Sequence, residues 1–450
     1  MKAEETSPSP ANSFGRPRCY SDGVTRIATS TPVPAAPLRR PGPTLAAVAI
    51  ALLMGLQALT TDLYLPALPL LTRELGATVT AAQLTMSALL LAFGLGQLVW
   101  GPLSDRFGRR PVLLTGLSAY VVVTLAASQA GSIELLIALR MLQGLAMAAA
   151  VVVARAMVRD LYEPAQGAQV MARGLSGLGM IAIASPIVGG IVTALFGWRA
   201  AFLTVASGGA AALALVVWRL PETLAPERRR VAGGLRGMSS GWGEVLRHPG
   251  FRAWALLTCC SYGGLFVFLA GSSFVYIGVL GLGPLAYGAV AATCSTSYLA
   301  GTLYCRRRLA RLGVAGSVQQ AAWLTALAAV AFAVPALLGV QTLAAVWLPQ
   351  LIYQFAHGTH MPCSQVGAVA PFPHRAGVAS ALSGCASALV AFVIGLGLGH
   401  FLDHSTRALA WGVALFAVLT CLCAWTLVRR HGEPARSAPA PADPTLRGQA

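Results

Sequence analysis

AAQLTMSALLLAFGLGQLVWGPLSDRFGRR, residues 81–110, is the stretch on which the reading of the fold turns. Residues 81–103 carry no charge, after which Asp105, Arg106, Arg109 and Arg110 crowd into positions 105–110. A helix crossing the roughly 30 Å hydrocarbon layer of a bilayer needs about 20 apolar residues, and charges gather where it leaves the lipid. The run therefore predicts a membrane-spanning helix that ends in a short basic loop.

The same alternation continues along the chain. Of 450 residues, 56% are hydrophobic and only 10% are charged, with a mean hydropathy of +0.68. Soluble domains carry about 25% charged residues, so the expected solvent is lipid. Apolar segments are predicted at 45–71, 81–103, 111–129, 133–154, 169–193 and 199–219, then at 251–279, 284–304, 316–338, 342–363, 376–401 and 407–428. The expectation is an all-α membrane protein of twelve transmembrane helices in two six-helix bundles, 44–219 and 251–429. Between them lies a polar cytoplasmic link, 220–250, holding Arg228, Arg229, Arg230, Arg236 and Arg247. Residues 1–43, rich in Pro, Ser and Arg, and residues 430–450 read as disordered tails. The first is not read as a signal peptide, because the apolar run after it is too long and no small-residue cleavage site closes it.

The formal charge of +17 does not form a nucleic-acid-binding stripe. Its arginines fall in alternate loops (Arg106, Arg109, Arg110, Arg155, Arg159, Arg173, Arg306, Arg307, Arg308, Arg311 and Arg375), and the other loops offer Arg73, Arg199 and Arg407. By the positive-inside rule the rich set and both termini are cytoplasmic. Lys2 is the only lysine, a bias that points to a GC-rich, bacterial coding sequence and hence to an inner membrane. Of nine cysteines, eight lie in or beside apolar segments and read as small hydrophobes; neither a disulfide framework nor a metal site is expected. No phosphate-cradling, nucleophile-elbow or zinc-protease motif is present, so neither an enzyme nor a cofactor is expected. Without a nucleotide site, the protonmotive force is the natural energy source. One charge crossing 100 mV supplies about 2.3 kcal/mol, enough for roughly a forty-fold gradient.

Gly101-Pro-Leu-Ser-Asp105-Arg106 recurs loosely as Gly301-Thr-Leu-Tyr-Cys305-Arg306, each after the second segment of its half. Such a parallel repeat predicts a substrate cavity at the midplane between halves. In the first copy Gly101 and Gly108 permit a tight cytoplasmic turn, Asp105 can accept charge-assisted hydrogen bonds or lie near a helix N-terminus, and the arginines face the membrane surface. This string resembles the loop signature of the major facilitator superfamily. The resemblance implies a gate latch between the halves, in which Gly101, Asp105, Arg106, Gly108, Arg109 and Arg110 switch conformation rather than touch substrate.

Three further strings carry candidate chemistry. Arg140 lies inside an apolar run with Gln143 on the same helical face; it is either functional or snorkels to the interface. The pair resembles the family's proton-coupling motif. In Thr61-Asp62-Leu-Tyr64-Leu-Pro66-Ala-Leu-Pro69 the prolines should kink or end the first helix. Asp62 is the one acid inside the spans away from their ends. It either serves as a proton carrier coupled electrostatically to Arg140 or sits at the outer interface. This string resembles the first helix of Bcr/CflA-like (bicyclomycin and chloramphenicol resistance) members, as do Phe196–Phe202 and Ala376–Leu382. Ser185-Pro186-Ile-Val-Gly189-Gly190 resembles the antiporter motif of exporters, although Ser185 replaces a glycine. A kinked, closely packed helix is the plainer reading.

Gln350, Tyr353, Gln354, His357 and His360 line up on one later segment. With Gln57 and Tyr64 they are candidates for the cavity wall; the alternatives are buried hydrogen-bonded structure and, more remotely, a metal site or proton relay. Gln83, Gln97, Tyr262 and Tyr298 are further candidates. The resemblance implies a monomeric drug:proton antiporter whose partners are protons, lipid and amphipathic drugs of the chloramphenicol or bicyclomycin kind. The rival readings are a metabolite exporter, an importer, or a transport-inactive receptor or scaffold.

Overall fold

The computed structural model describes residues 42–224, 241–401 and 405–432; the expected tails outside those limits and residues 225–240 of the expected link lie outside the described residues. Among the described residues the chain is helical, without a strand. Nine stretches are long and apolar enough to cross a membrane. Two of them, Gln169–Arg219 and Pro284–Leu337, have 51 and 54 residues, about 80 Å if straight, far more than one crossing needs. Each is broken by a glycine, Gly197 at φ 78° and Gly313 at φ 68°, a left-handed conformation open to glycine at little cost. Those two stretches therefore supply four crossings. A further helix, Leu343–Val369, is 27 residues long but less apolar, because Gln350, Gln354, His357 and His360 lie on it. The described residues thus contain the twelve expected segments.

In chain order the helices are α1 (Pro43–Asp62), α2 (Leu68–Glu74), α3 (Val79–Phe107), α4 (Arg109–Ser128), α5 (Ile133–Leu161), α6 (Pro164–Arg219), α7 (Trp242–Arg247), α8 (Pro249–Ser273), α9 (Pro284–Leu337), α10 (Leu343–Val369), α11 (Ala376–Phe401) and α12 (Arg407–Leu422). The first helix breaks where its prolines predict. α1 stops at Asp62, Pro66 lies in a 3-10 turn (Leu65–Ala67), and Pro69 opens α2. Beyond the break, Trp198 and Arg199 on the second limb of α6 donate to Glu74 at 2.8 and 3.1 Å. α7 adds a short helix within the expected link, and its Glu244 pairs with Arg375.

α1 packs on α6, α3 on α5, and α4 on both α5 and α6; α8 packs with α10, α11 and α12, and α9 with α10 and α12. Between these groups α3 meets α11 and α6 meets α9. The arginine-bearing turns between α3 and α4, α5 and α6, and α10 and α11 share one end of the molecule. At the other end the cross-contacts are nearly backbone to backbone: a Cβ on Gly190 would lie 2.6 Å from the Pro284 carbonyl oxygen, and one on Gly399 only 2.4 Å from Thr80 Oγ1. Small residues permit such approach, which closes that end.

Candidate functional site

Arg140 on α5 is fully buried, without an acidic partner. Its Nη1 donates to Gln143 Oε1 at 2.8 Å. Longer contacts of 3.4–3.5 Å reach the carbonyls of Thr60 on α1 and Thr85 on α3. The guanidinium also lies over Tyr64, 4.4 Å from the ring centroid, and within 5.6 Å of Phe202, an arrangement in which aromatic faces receive a cation. Gln143 passes the network on to Thr124 of α4 at 2.8 Å. One side chain thereby joins α1, α3, α4, α5 and α6, and it does not snorkel.

Asp62 lies two residues beyond Thr60, about 200° further round the helix, and so faces away from Arg140. The two form no ion pair, so the electrostatic coupling expected between them is not carried by direct contact. The half-buried Asp62 carboxylate accepts a hydrogen bond from Thr61 at 2.8 Å. On the side toward the second half it lies within electrostatic range of Tyr262 and Tyr287.

The loop string folds as a compact ionic knot. Gly108 turns the chain at φ 101°. The buried Arg109 then donates to Asp105 at 2.6 Å, to Asp160 at 2.8 Å and to Ser104 at 2.7 Å. Glu222, which the sequence placed in the link, accepts from the backbone N–H of Arg109 at 2.9 Å and of Arg110 at 3.2 Å. It caps α4, whose first amides lack helical partners. An acid just past the sixth segment was the available clue. Arg110 donates to the Val217 carbonyl, Arg106 rests on Phe107, and Gly101 has space around it. Every partner lies in the first half or, for Glu222, at the start of the link. Replacing Arg109 with Ala should lower stability by about 1–2 kcal/mol, because two partly exposed carboxylates lose their shared cation; thermal melting in detergent would register it. In the second copy Cys305 lies within α9, its Sγ 3.5 Å from Cys363 Sγ, and the helix runs on to Gly313 before turning. No second latch forms there.

Ser185 bonds back to the Ile181 carbonyl at 2.7 Å, and Pro186 sits inside α6. Cβ atoms on Gly189 and Gly288 would lie 2.2 and 2.3 Å from the carbonyl oxygens of Leu63 and Pro186. The 185–190 string is thus the crossing point of α6 with the first-helix break and with α9.

A cavity of about 100 Å³ opens between the halves. The first half contributes Gln57, Leu90, Phe93, Gln97 and Arg155; the second contributes Thr258, Tyr262, Met361, Gln365 and serines of α11, among them Ser380, Ser383 and Ser387. These positions concentrate toward the arginine-bearing end. Of the expected wall residues Gln57, Gln97 and Tyr262 line it, but Tyr64, Tyr353, Gln354, His357 and His360 do not. Tyr64 is buried beneath Arg140 and bonds to Thr85 at 2.7 Å. Tyr353 donates to the Ser261 carbonyl, His357 meets the Ser261 hydroxyl, both at 2.7 Å, and His360 meets Thr325 at 2.9 Å. Those residues tie α10 to α8 and α9. Gln354 is buried on the same helix, and Gln83 is buried on α3 beside the Ala270 carbonyl. Among the described residues no group of three His, Cys, Asp or Glu side chains could hold a metal.

The profile of the major facilitator superfamily matches residues 50–395. The chain belongs to that superfamily. It is 31% identical to a chloramphenicol resistance protein of Pseudomonas aeruginosa over 83% of this chain and 86% of that one. It is 30% identical to multidrug resistance protein D of Escherichia coli K12 over 74% and 83%. The crystal structure of the human organic anion transporter MFSD10 superposes with a TM-score of 0.66 at 21% identity, covering 86% of this chain and all of that one. A major facilitator protein is a multi-pass membrane transporter and not an enzyme. Among the cavity-lining residues not anticipated from the sequence are Thr258, Gln365, the α11 serines and Arg155. Arg155 looked like a loop cation because Arg159 and Asp160 follow closely. The intervening Ala156-Met157-Val158 is the apolar signal that extends α5 past it.

Proposed function

We propose that this chain is a proton-coupled drug exporter of the bacterial inner membrane, moving amphipathic compounds of the chloramphenicol or bicyclomycin kind by alternating access. The organisation is two bundles, 44–219 and 251–429, joined by a link at 220–250, with both termini cytoplasmic. The observation that carries the reading is a cavity between the halves with Asp62 behind its wall. Among the described residues, Asp62 is the one acid set well inside an apolar stretch. Tyr262 connects the two, since it lines the cavity and lies within range of Asp62. The acid can hold a proton while the cavity faces one side and release it when the halves rock. The resistance names of the relatives favour export and drugs.

On this reading the arginine-bearing end is cytoplasmic, so the conformation described is inward-open, sealed outside by α3–α11 and α6–α9. The loop knot then stands released, with Asp105 held by its own half. Arg140 and Gln143 keep the first bundle rigid around Asp62, and the 185–190 crossing forms part of the outer seal.

Energised everted vesicles carrying the protein, with a pH-sensitive dye, provide the test. Adding chloramphenicol or another amphipathic drug should release protons from the lumen. Absence of release across a drug panel, with the protein verified in the membrane, would sink drug:proton exchange and leave a metabolite exporter as the better reading.

A further inference from the structure

We infer that the cavity is built for amphipathic organic anions, with Arg155 as the residue that receives the anionic group. This deepens the export reading above and rests on it only for the direction of transport. Arg155 is half-buried at the wall of the cavity, where full hydration is denied to its guanidinium. None of the four ion pairs among the described residues includes it, and no Asp or Glu lines the cavity. The nearest acid along α5, Asp160, is taken by Arg109. Arg159, one turn on, adds charge of the same sign. A cation desolvated without a counter-charge is costly, and a ligand that brings the counter-charge relieves that cost as it binds.

The rest of the wall completes the ligand's description. Gln97 and Gln365 offer amide donors around the charged end. Leu90, Phe93 and Met361 supply an apolar side for a ring or chain. The planar fork of an arginine suits a carboxylate, which it can bind through two parallel hydrogen bonds. Neutral drugs bearing nitro or carbonyl acceptors satisfy the same fork more weakly, and cationic amphiphiles are repelled by it.

The test is equilibrium binding to full-length protein purified in an uncharged detergent, using three fluorescent probes that differ only at one end. Dansylglycine carries a carboxylate, dansylglycinamide a neutral amide and dansylethylenediamine an ammonium. Wild type should bind the carboxylate at least about tenfold more tightly than the amine, with the amide between, as expected for one charge-assisted contact. Arg155→Gln should remove that order, and Arg155→Lys, which keeps the charge, should retain it. A wild type that binds the amine as tightly as the carboxylate, or binds none of the three, overturns the inference. So does an order that survives in monodisperse Arg155→Gln protein. Binding is read without a proton gradient, so a preserved order beside failed efflux in vesicles would sink the export reading and support this one.

Discussion

A Gly144→Val protein should fail to reach the membrane as a folded species, eluting as aggregate in fluorescence-detected size exclusion while wild type elutes as one peak. A Cβ at this position would lie 2.1 Å from the carbonyl oxygen of Leu89 and 2.9 Å from its carbonyl carbon. The obstacle is the backbone of α3, which cannot rotate aside as a side chain would. α5 and α3 would have to separate by about an ångström, where overpacking even of yielding cores costs about 1–3 kcal/mol. A second loss compounds the first. Arg140 reaches the Thr85 carbonyl of the same helix at 3.4 Å, already at the limit of a hydrogen bond, and an added ångström breaks it. The buried guanidinium would then keep fewer partners, with no acid to replace them. Gly101→Ala is the control, since the nearest atom to its Cβ would be Val152 Cγ1 at 4.0 Å; that variant should elute and melt like wild type. A monodisperse Gly144→Val protein with wild-type melting would show that α3 and α5 do not cross as described.

Why the fold could be read so fully from the sequence, and the cavity only in part, follows from what each depends on. In lipid a helix must satisfy its own backbone, so uninterrupted apolar runs mark crossings, and Gly197 and Gly313 fall between predicted segments. The break after Asp62 followed from Pro66 and Pro69, each of which lacks an amide proton. Periodicity, by contrast, identifies a helix face without saying what that face meets. Gln350, Tyr353, Gln354, His357 and His360 do share a polar side of α10, but several of them spend their hydrogen bonds on the neighbouring helices α8 and α9. Arg155 is the opposite case: a charge near a helix end was counted with the loops, while the helix carried it to the cavity wall. Asp62 and Arg140 were expected to be coupled because both lie in the same half of the same bundle. The step of two positions from Thr60, which Arg140 contacts, to Asp62 turns the acid to a different side.

Asp62→Asn should reduce drug-induced proton release in everted vesicles to the background of empty membranes, with no loss of protein. The substitution preserves shape, and the amide oxygen can still accept the Thr61 hydroxyl that Asp62 accepts at 2.8 Å. What it removes is the ability to exchange a proton. No ion pair is broken, because none of those among the described residues includes Asp62; melting in detergent should therefore stay within about a degree of wild type. Arg140→Gln should behave differently. Removing a fully buried guanidinium from five helices should lower the melting temperature as well as transport, so the two variants separate proton exchange from support of the bundle. Binding also distinguishes them. Asp62→Asn should still bind cavity ligands, since Asp62 does not line the cavity, whereas a loosened bundle should bind them poorly. Retained proton release in Asp62→Asn would transfer the coupling role elsewhere. A lowered melting temperature in that variant would recast Asp62 as a structural residue.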